Sequence, residues 1–168
     1  MSIKPSLLSL FAGLALLGPV SPALAAPTPI AIAEFEYSDG SGEPGDQREA
    51  HARRLQDFSA ALRHDLAQGG NFRIINLDCA TVCSAEQANL GKLAAEARRQ
   101  GAQLLLLGFI HKESTLIQWA KAVIIDLDGD KVMTDRYLSF RGDDDQSWRR
   151  AEAFLAKDLL KAPIGRAY

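Results

Sequence analysis

The sequence lacks the short motifs by which several classes of enzyme and binding protein are recognised. No serine stands in a Gly-x-Ser-x-Gly elbow, so the nucleophile of an α/β-hydrolase is not indicated. There is no Gly-x-Gly-x-x-Gly and no phosphate-loop lysine followed by serine or threonine, which argues against nucleotide binding. A formal net charge of −2 without a basic stripe argues against a nucleic-acid partner. We therefore expect no cofactor and no nucleic-acid partner.

A hydrophobic run long enough to span a membrane is also missing. The longest, Leu7–Val20, has 14 residues, whereas a membrane-spanning helix, the competing interpretation, needs about 20. The run follows Lys4 and precedes Ala23-Leu24-Ala25, an arrangement typical of a cleaved secretory signal peptide. We expect residues 1–25 to be that signal peptide and residues 26–168 to be a single periplasmic domain. No membrane span is then expected after cleavage.

Cysteine is scarce, with only Cys79 and Cys83, which are separated by three residues. Exported proteins meet an oxidising compartment, so a pair of cysteines favours a disulfide bond, which we predict here. A metal or redox carrier is the alternative, because two thiolates can bind a soft cation such as Cu(I).

Hydrophobic periodicity predicts eight elements in the order β-α-β-α-β-β-β-α. Strands separated by helices indicate parallel crossovers, and three strands joined by short turns indicate an antiparallel meander. The predicted fold class is α/β (α+β), with a single mixed five-stranded sheet and three helices. A Gly-rich acidic segment at 37–47 predicts a flexible loop. The predicted strands cover 30–35, 72–77, 104–110, 115–127 and 131–141, and the predicted helices cover 48–68, 84–100 and 146–160.

Candidate catalytic and metal-binding groups are few. The histidines are His51, His64 and His111, and a small periplasmic hydrolase using His64 or His111 is an alternative function. Acidic residues at 126–130 are explained by a hairpin turn. Asp143–Asp145 precede a predicted helix, whose positive end carboxylates stabilise, with a weak hard-cation site as the alternative. No metal site is predicted.

Two segments in the carboxy-terminal half carry a resemblance to a family of unknown function. They are Lys112-Glu-Ser114-Thr-Leu-Ile and Arg141-Gly-Asp-Asp-Asp145-Gln-Ser147-Trp148-Arg149-Arg150. They resemble a pattern in a family of small exported proteobacterial proteins, from which this chain departs at Thr115 and Asp143, where the pattern has asparagine. The strand order is also similar to that of the amino-terminal domain of the Tol–Pal translocation protein, a likeness of fold only.

These resemblances imply a non-catalytic binding or accessory protein whose partner is a periplasmic or envelope protein, such as a periplasmic dehydrogenase complex. The predicted binding residues are Lys112, Ser114, Arg141, Asp145, Ser147, Trp148, Arg149 and Arg150. From the residues themselves, Asp145 or Ser147 is expected to cap the last helix. Two hypotheses stay open for this segment. It forms either a self-satisfied network at the helix entry or a recognition surface rich in tryptophan and arginine, the residue types that dominate interface energies.

Overall fold

In the part of the chain that the structure describes, the protein folds as three helices packed on one mixed sheet of six strands. These elements lie within residues 26–77 and 90–163, the part of the chain that the structure, a computed structural model, describes. Cys79, Cys83 and the predicted signal peptide lie outside those residues. The elements are β1 (Thr28–Ile32), β2 (Glu36–Asp39), α1 (Arg48–Gln68), β3 (Phe72–Ile75), α2 (Leu90–Arg99), β4 (Leu104–Lys112), β5 (Ile117–Asp126), β6 (Lys131–Arg141) and α3 (Asp145–Leu160).

The sheet combines parallel and antiparallel pairing, as predicted. Its order is β3-β1-β4-β5-β6, with β2 also paired to β4. β1 runs parallel to both β3 and β4, and β4, β5 and β6 form the antiparallel meander. The central strand β4 is the unbroken apolar run of the sequence, which suits a strand covered on both faces.

The prediction of five strands was one short, because β2 lies where a loop was expected. β1 and β2 both pair with the same edge of β4. β1 pairs with residues 104–106 and β2 pairs with residues 109–112. Between them the buried ring of Phe35 lies over Gly108, where a Cβ would collide with it. Because Gly108 has no side chain, the Phe35 ring can pack directly on β4. The segment around Phe35 therefore separates from β4 after β1, and the chain pairs with β4 again in β2.

The helices cover the two faces of the sheet unequally. α1 and α3 pack on one face over the larger core, which includes Ile30, Leu62, Leu106, Ile124 and Leu155. α2 covers part of the other face through Leu93 and Ala97. The predicted bounds of α1 and β6 are confirmed, because their apolar spacing and flanking turns are local signals. Within the described residues, no helix is both long and apolar enough to cross a membrane.

Candidate functional site

The carboxylate of Asp143, whose side chain is 13% exposed, organises the end of the domain where α3 begins. It directly follows Gly142, which adopts a left-handed φ of 96°, in the short connection between β6 and α3. Its Oδ2 accepts hydrogen bonds from His51 Nε2 at 2.8 Å and Lys112 Nζ at 2.7 Å. Its Oδ1 accepts one from Arg54 Nη1 at 3.0 Å. Longer bonds of 3.3 Å to this oxygen come from the side chains of Gln118 and Trp148.

The side chain of Lys112 is the most unusual member of this cluster, because it is completely buried. Its ammonium donates to Asp143, to Glu43 and, at 2.8 Å, to Gln47 Oε1. Burial would lower the pKa of Lys112, but the hydrogen bonds to Asp143 and Glu43 outweigh it and raise that pKa above its ordinary value. All three donors of the ammonium are therefore in use, and the lysine is not a free base or nucleophile.

The same contacts hold Asp143 in its ionised form. Burial would raise the pKa of this carboxyl, but hydrogen bonds from Lys112 and His51 outweigh it and keep the pKa below its usual range. The cluster joins α1, β4, β5 and the 40–47 segment to the start of α3. We interpret it as a structural network that fixes the position of α3.

The amino terminus of α3 is capped by a different residue from those predicted. Asp144, rather than Asp145 or Ser147, is the N-cap, and its carboxylate accepts a hydrogen bond of 2.7 Å from the Ser147 backbone N–H. A Cβ at Gly142 would collide with the Ser147 hydroxyl. The Ser147 hydroxyl thus fits there because residue 142 is a glycine. Asp145 does not cap the helix, and its carboxylate accepts a hydrogen bond of 2.9 Å from Arg54 Nε.

The structure separates the predicted binding residues into two groups. Lys112, Ser147 and Trp148 are buried, so these three do not lie on an exposed surface, as the recognition-surface hypothesis requires of Lys112 and Trp148. Trp148 is only 2% exposed, because its indole packs among the rings of Tyr37, Phe58 and Phe140. Arg141, Asp145, Arg149 and Arg150 are exposed, and Ser114 is half-buried in the turn before β5, where its hydroxyl accepts from the Ile117 N–H.

A groove between α1 and α3 encloses about 160 Å³ next to this cluster. Glu152, which the sequence did not single out, lines it and is 4% exposed. Within the described part of the chain, its Oε1 has no hydrogen-bond partner. Burial, and then the nearby charge of Asp65, raise the pKa of Glu152 to about 7. A local signal was present, because Glu152 stands four residues after Trp148 and shares its helix face. The other lining residues are Arg54, Asp57, Phe58, Ala61, Asp145, Trp148 and Arg149.

The three histidines have different environments. His51 belongs to the Asp143 cluster, and His64 is exposed. His111 Nδ1 lies 2.6 Å from Ser38 Oγ, and its Nε2 lies 3.4 Å from the exposed carboxylate of Glu113. The pairing of β2 with β4 thus brings a serine, a histidine and a carboxylate together. Among residues 26–77 and 90–163, no group of three or more His, Cys, Asp or Glu side chains could hold a metal ion.

Comparison with known proteins places the chain in a family. The family DUF3280, described as "Protein of unknown function (DUF2380)", matches residues 28–160. The chain belongs to this family. The predicted resemblance to a family of unknown function is therefore confirmed, and DUF3280 spans every strand and helix described above. No curated protein matches the chain.

Several solved structures share the fold of this DUF3280 protein. TolB from Acinetobacter baumannii has 16% identity and a TM-score of 0.54, with 84% of this chain and 29% of that chain covered. Lipoprotein GNA1162 from Neisseria meningitidis has 10% identity and a TM-score of 0.52, with 79% and 98% covered. The LpoB C-terminal domain from Escherichia coli has 10% identity and a TM-score of 0.50, with 71% and 86% covered. At these identities the similarity shows the fold alone.

Proposed function

We propose that this protein is an exported, non-catalytic accessory module that binds a protein of the periplasm or cell envelope through the start of α3. The binding surface consists of Arg141, Arg149 and Arg150, which we call the arginine surface. The observation that carries the proposal is the contrast between the buried residues and these three within one short segment. Trp148 is buried and the half-buried Asp143 is held by hydrogen bonds, whereas the arginines beside them are exposed.

The buried network supports binding because it fixes these arginines in advance. The capped helix start, the Trp148 packing and the Asp143 hydrogen bonds hold the α3 backbone in one position. A surface that is already ordered loses less conformational entropy when it binds, and arginine is enriched among the residues that dominate interface energies. Arg150 is itself steered by a 3.2 Å hydrogen bond to the Ser147 hydroxyl.

The same network disfavours catalysis at this end of the described chain. Lys112 and Asp143 are each saturated by their partners, and His51 is bonded to Asp143. A general base or nucleophile must be able to reach a substrate atom, which saturated buried groups cannot do.

The class of partner rests on the predicted signal peptide and on the family resemblance. A cleaved signal peptide would bring the chain to the periplasm. Similar folds occur in a protein called a lipoprotein, in TolB and in LpoB. The lipoprotein name supports an envelope protein as the partner, and the family resemblance alone supports a periplasmic dehydrogenase complex.

A charge-reversal experiment tests this proposal. The double variant Arg149→Glu with Arg150→Glu should keep its urea midpoint but lose capture of the envelope proteins retained by the native chain. The matched control is Lys157→Glu with Lys161→Glu, which reverses two exposed charges at the other end of the same helix and should retain capture. Undiminished capture by the arginine variant would contradict the proposal.

A hydrolase is the second candidate, and one observation favours it. Ser38, His111 and Glu113 stand in the order of a nucleophile, a base and an orienting carboxylate. The carboxylate is 64% exposed and 3.4 Å from the ring, so it orients the histidine weakly. The binding proposal predicts no turnover of p-nitrophenyl acetate above that of a Ser38→Ala variant. Turnover that Ser38→Ala abolishes would establish the hydrolase instead.

A further inference from the structure

The groove between α1 and α3 has an unsatisfied acceptor at its base. Glu152 points from α3 toward α1 and is more than nine-tenths buried, yet its Oε1 lacks a hydrogen-bond donor among the described residues. Buried polar atoms are almost always paired, so each exception calls for a physical explanation. A donor supplied from outside the chain would explain this one.

The remaining walls of the groove show what kind of donor would fit. Phe58, Ala61 and Trp148 supply apolar surface, which suits an aliphatic stem. Asp57 and Asp145 add carboxylates at the same groove. The two cations there are Arg54, already bonded to Asp143 and Asp145, and Arg149, whose charge interacts with Asp145. The groove is therefore left with a negative balance when Glu152 is ionised.

We infer that this groove receives a lysine or arginine side chain of the protein partner, whose cationic head pairs with the Glu152 carboxylate. This inference rests on the proposed function and names one contact of the partner. The volume of about 160 Å³ is sufficient for a single long side chain. Lysine and arginine combine an apolar stem with a charged donor, which matches apolar walls that end at a carboxylate.

The pairing makes binding depend on pH. The groups that face Glu152 are Asp65, Asp57 and Arg54 from α1 and Asp145 and Arg149 from α3. Burial in this groove raises the pKa of Glu152 to about 7. An incoming cation favours the ionised carboxylate, so its binding releases a proton from Glu152. By linkage, binding should be about 30-fold tighter at pH 8 than at pH 5.5.

The experiment uses a defined probe, N-acetyl-lysine N-methylamide, titrated into the isotope-labelled protein and followed by NMR. We expect saturable shifts at the Trp148 indole N–H and the Glu152 amide, with affinity rising about 30-fold from pH 5.5 to pH 8. Glu152→Gln should abolish the pH dependence and weaken binding at pH 8 by at least about tenfold. The control Glu34→Gln, which neutralises an exposed carboxylate, should leave binding unchanged. The uncharged norleucine analogue should bind more weakly than the lysine probe at pH 8.

The outcomes separate this inference from the proposed function. Absence of shifts at both reporters with 100 mM probe, or equal binding of the lysine and norleucine probes, would overturn the inference. Equal affinity of Glu152→Gln and the native chain would do the same. None of these results bears on whether the arginine surface captures a partner, which the charge-reversal variant tests separately.

Discussion

Replacing Glu152 with glutamine should change stability in a way that depends strongly on pH. The folded protein raises the pKa of this carboxyl from its ordinary value of 4.5 to about 7, chiefly because the group is buried. The ionised form is therefore disfavoured in the folded state by roughly 3 kcal/mol relative to the unfolded chain. Glutamine has a similar shape and never ionises, so it removes this cost.

The direction in which stability changes with pH follows from the number of protons bound by the folded and unfolded states. Between pH 4.5 and about 7 the folded state holds a proton that the unfolded state has released. The free energy of unfolding of the native chain therefore falls as pH rises through this window, and the full cost persists above it. Glu152→Gln should thus gain stability relative to the native chain by about 3 kcal/mol between pH 4 and pH 8.5, whatever constant offset the amide introduces.

Urea denaturation at pH 4, 5.5, 7 and 8.5 measures this difference directly. The control Glu34→Gln changes an exposed carboxylate and should show a nearly constant difference from the native chain across the series. A Glu152→Gln difference that is the same at pH 4 and pH 8.5 would refute the argument, because it would show that Glu152 is ionised normally in the folded protein.

Two further substitutions test the buried network. Trp148→Ala should destabilise the fold by about 3–5 kcal/mol, because it removes a fully packed indole, and an unchanged urea midpoint would contradict its structural role. Asp143→Asn should cost about 1–3 kcal/mol at pH 7, because Lys112 and Arg54 lose a charged acceptor while Glu43 still pairs with Lys112. Asp143 has a lowered pKa, so the stability it contributes is present at neutral pH and is lost as pH falls below about 4. Acid titration of Asp143→Asn should therefore show a shallower loss of stability than the native chain, and an equally steep loss would contradict this assignment.

Local patterns were sufficient to predict most of the fold. The helical spacing of Phe58, Leu62 and Leu66, followed by two glycines, marks α1, and the unbroken apolar run marks the central strand. β2 could not be predicted in this way, because its position depends on Phe35 packing over Gly108, more than seventy residues away.

The candidate site was harder to predict, since its key contacts are distant in sequence. Lys112 ends an apolar strand and would ordinarily be exposed, but its partners come from residues 43, 47 and 143. Sequence spacing gives no sign of that convergence. The burial of Glu152 could have been predicted, because it stands four residues after Trp148 and therefore lies on the same buried face of α3.

Site-specific photo-crosslinking tests most directly the claim that the start of α3 binds a partner. A photoreactive amino acid would replace Arg150 in one chain and Lys157 in another, both exposed positions on α3. The account predicts that one envelope or periplasmic protein is crosslinked in cells from position 150 and not from position 157. Equal crosslinking from both positions, or none from position 150, would contradict it.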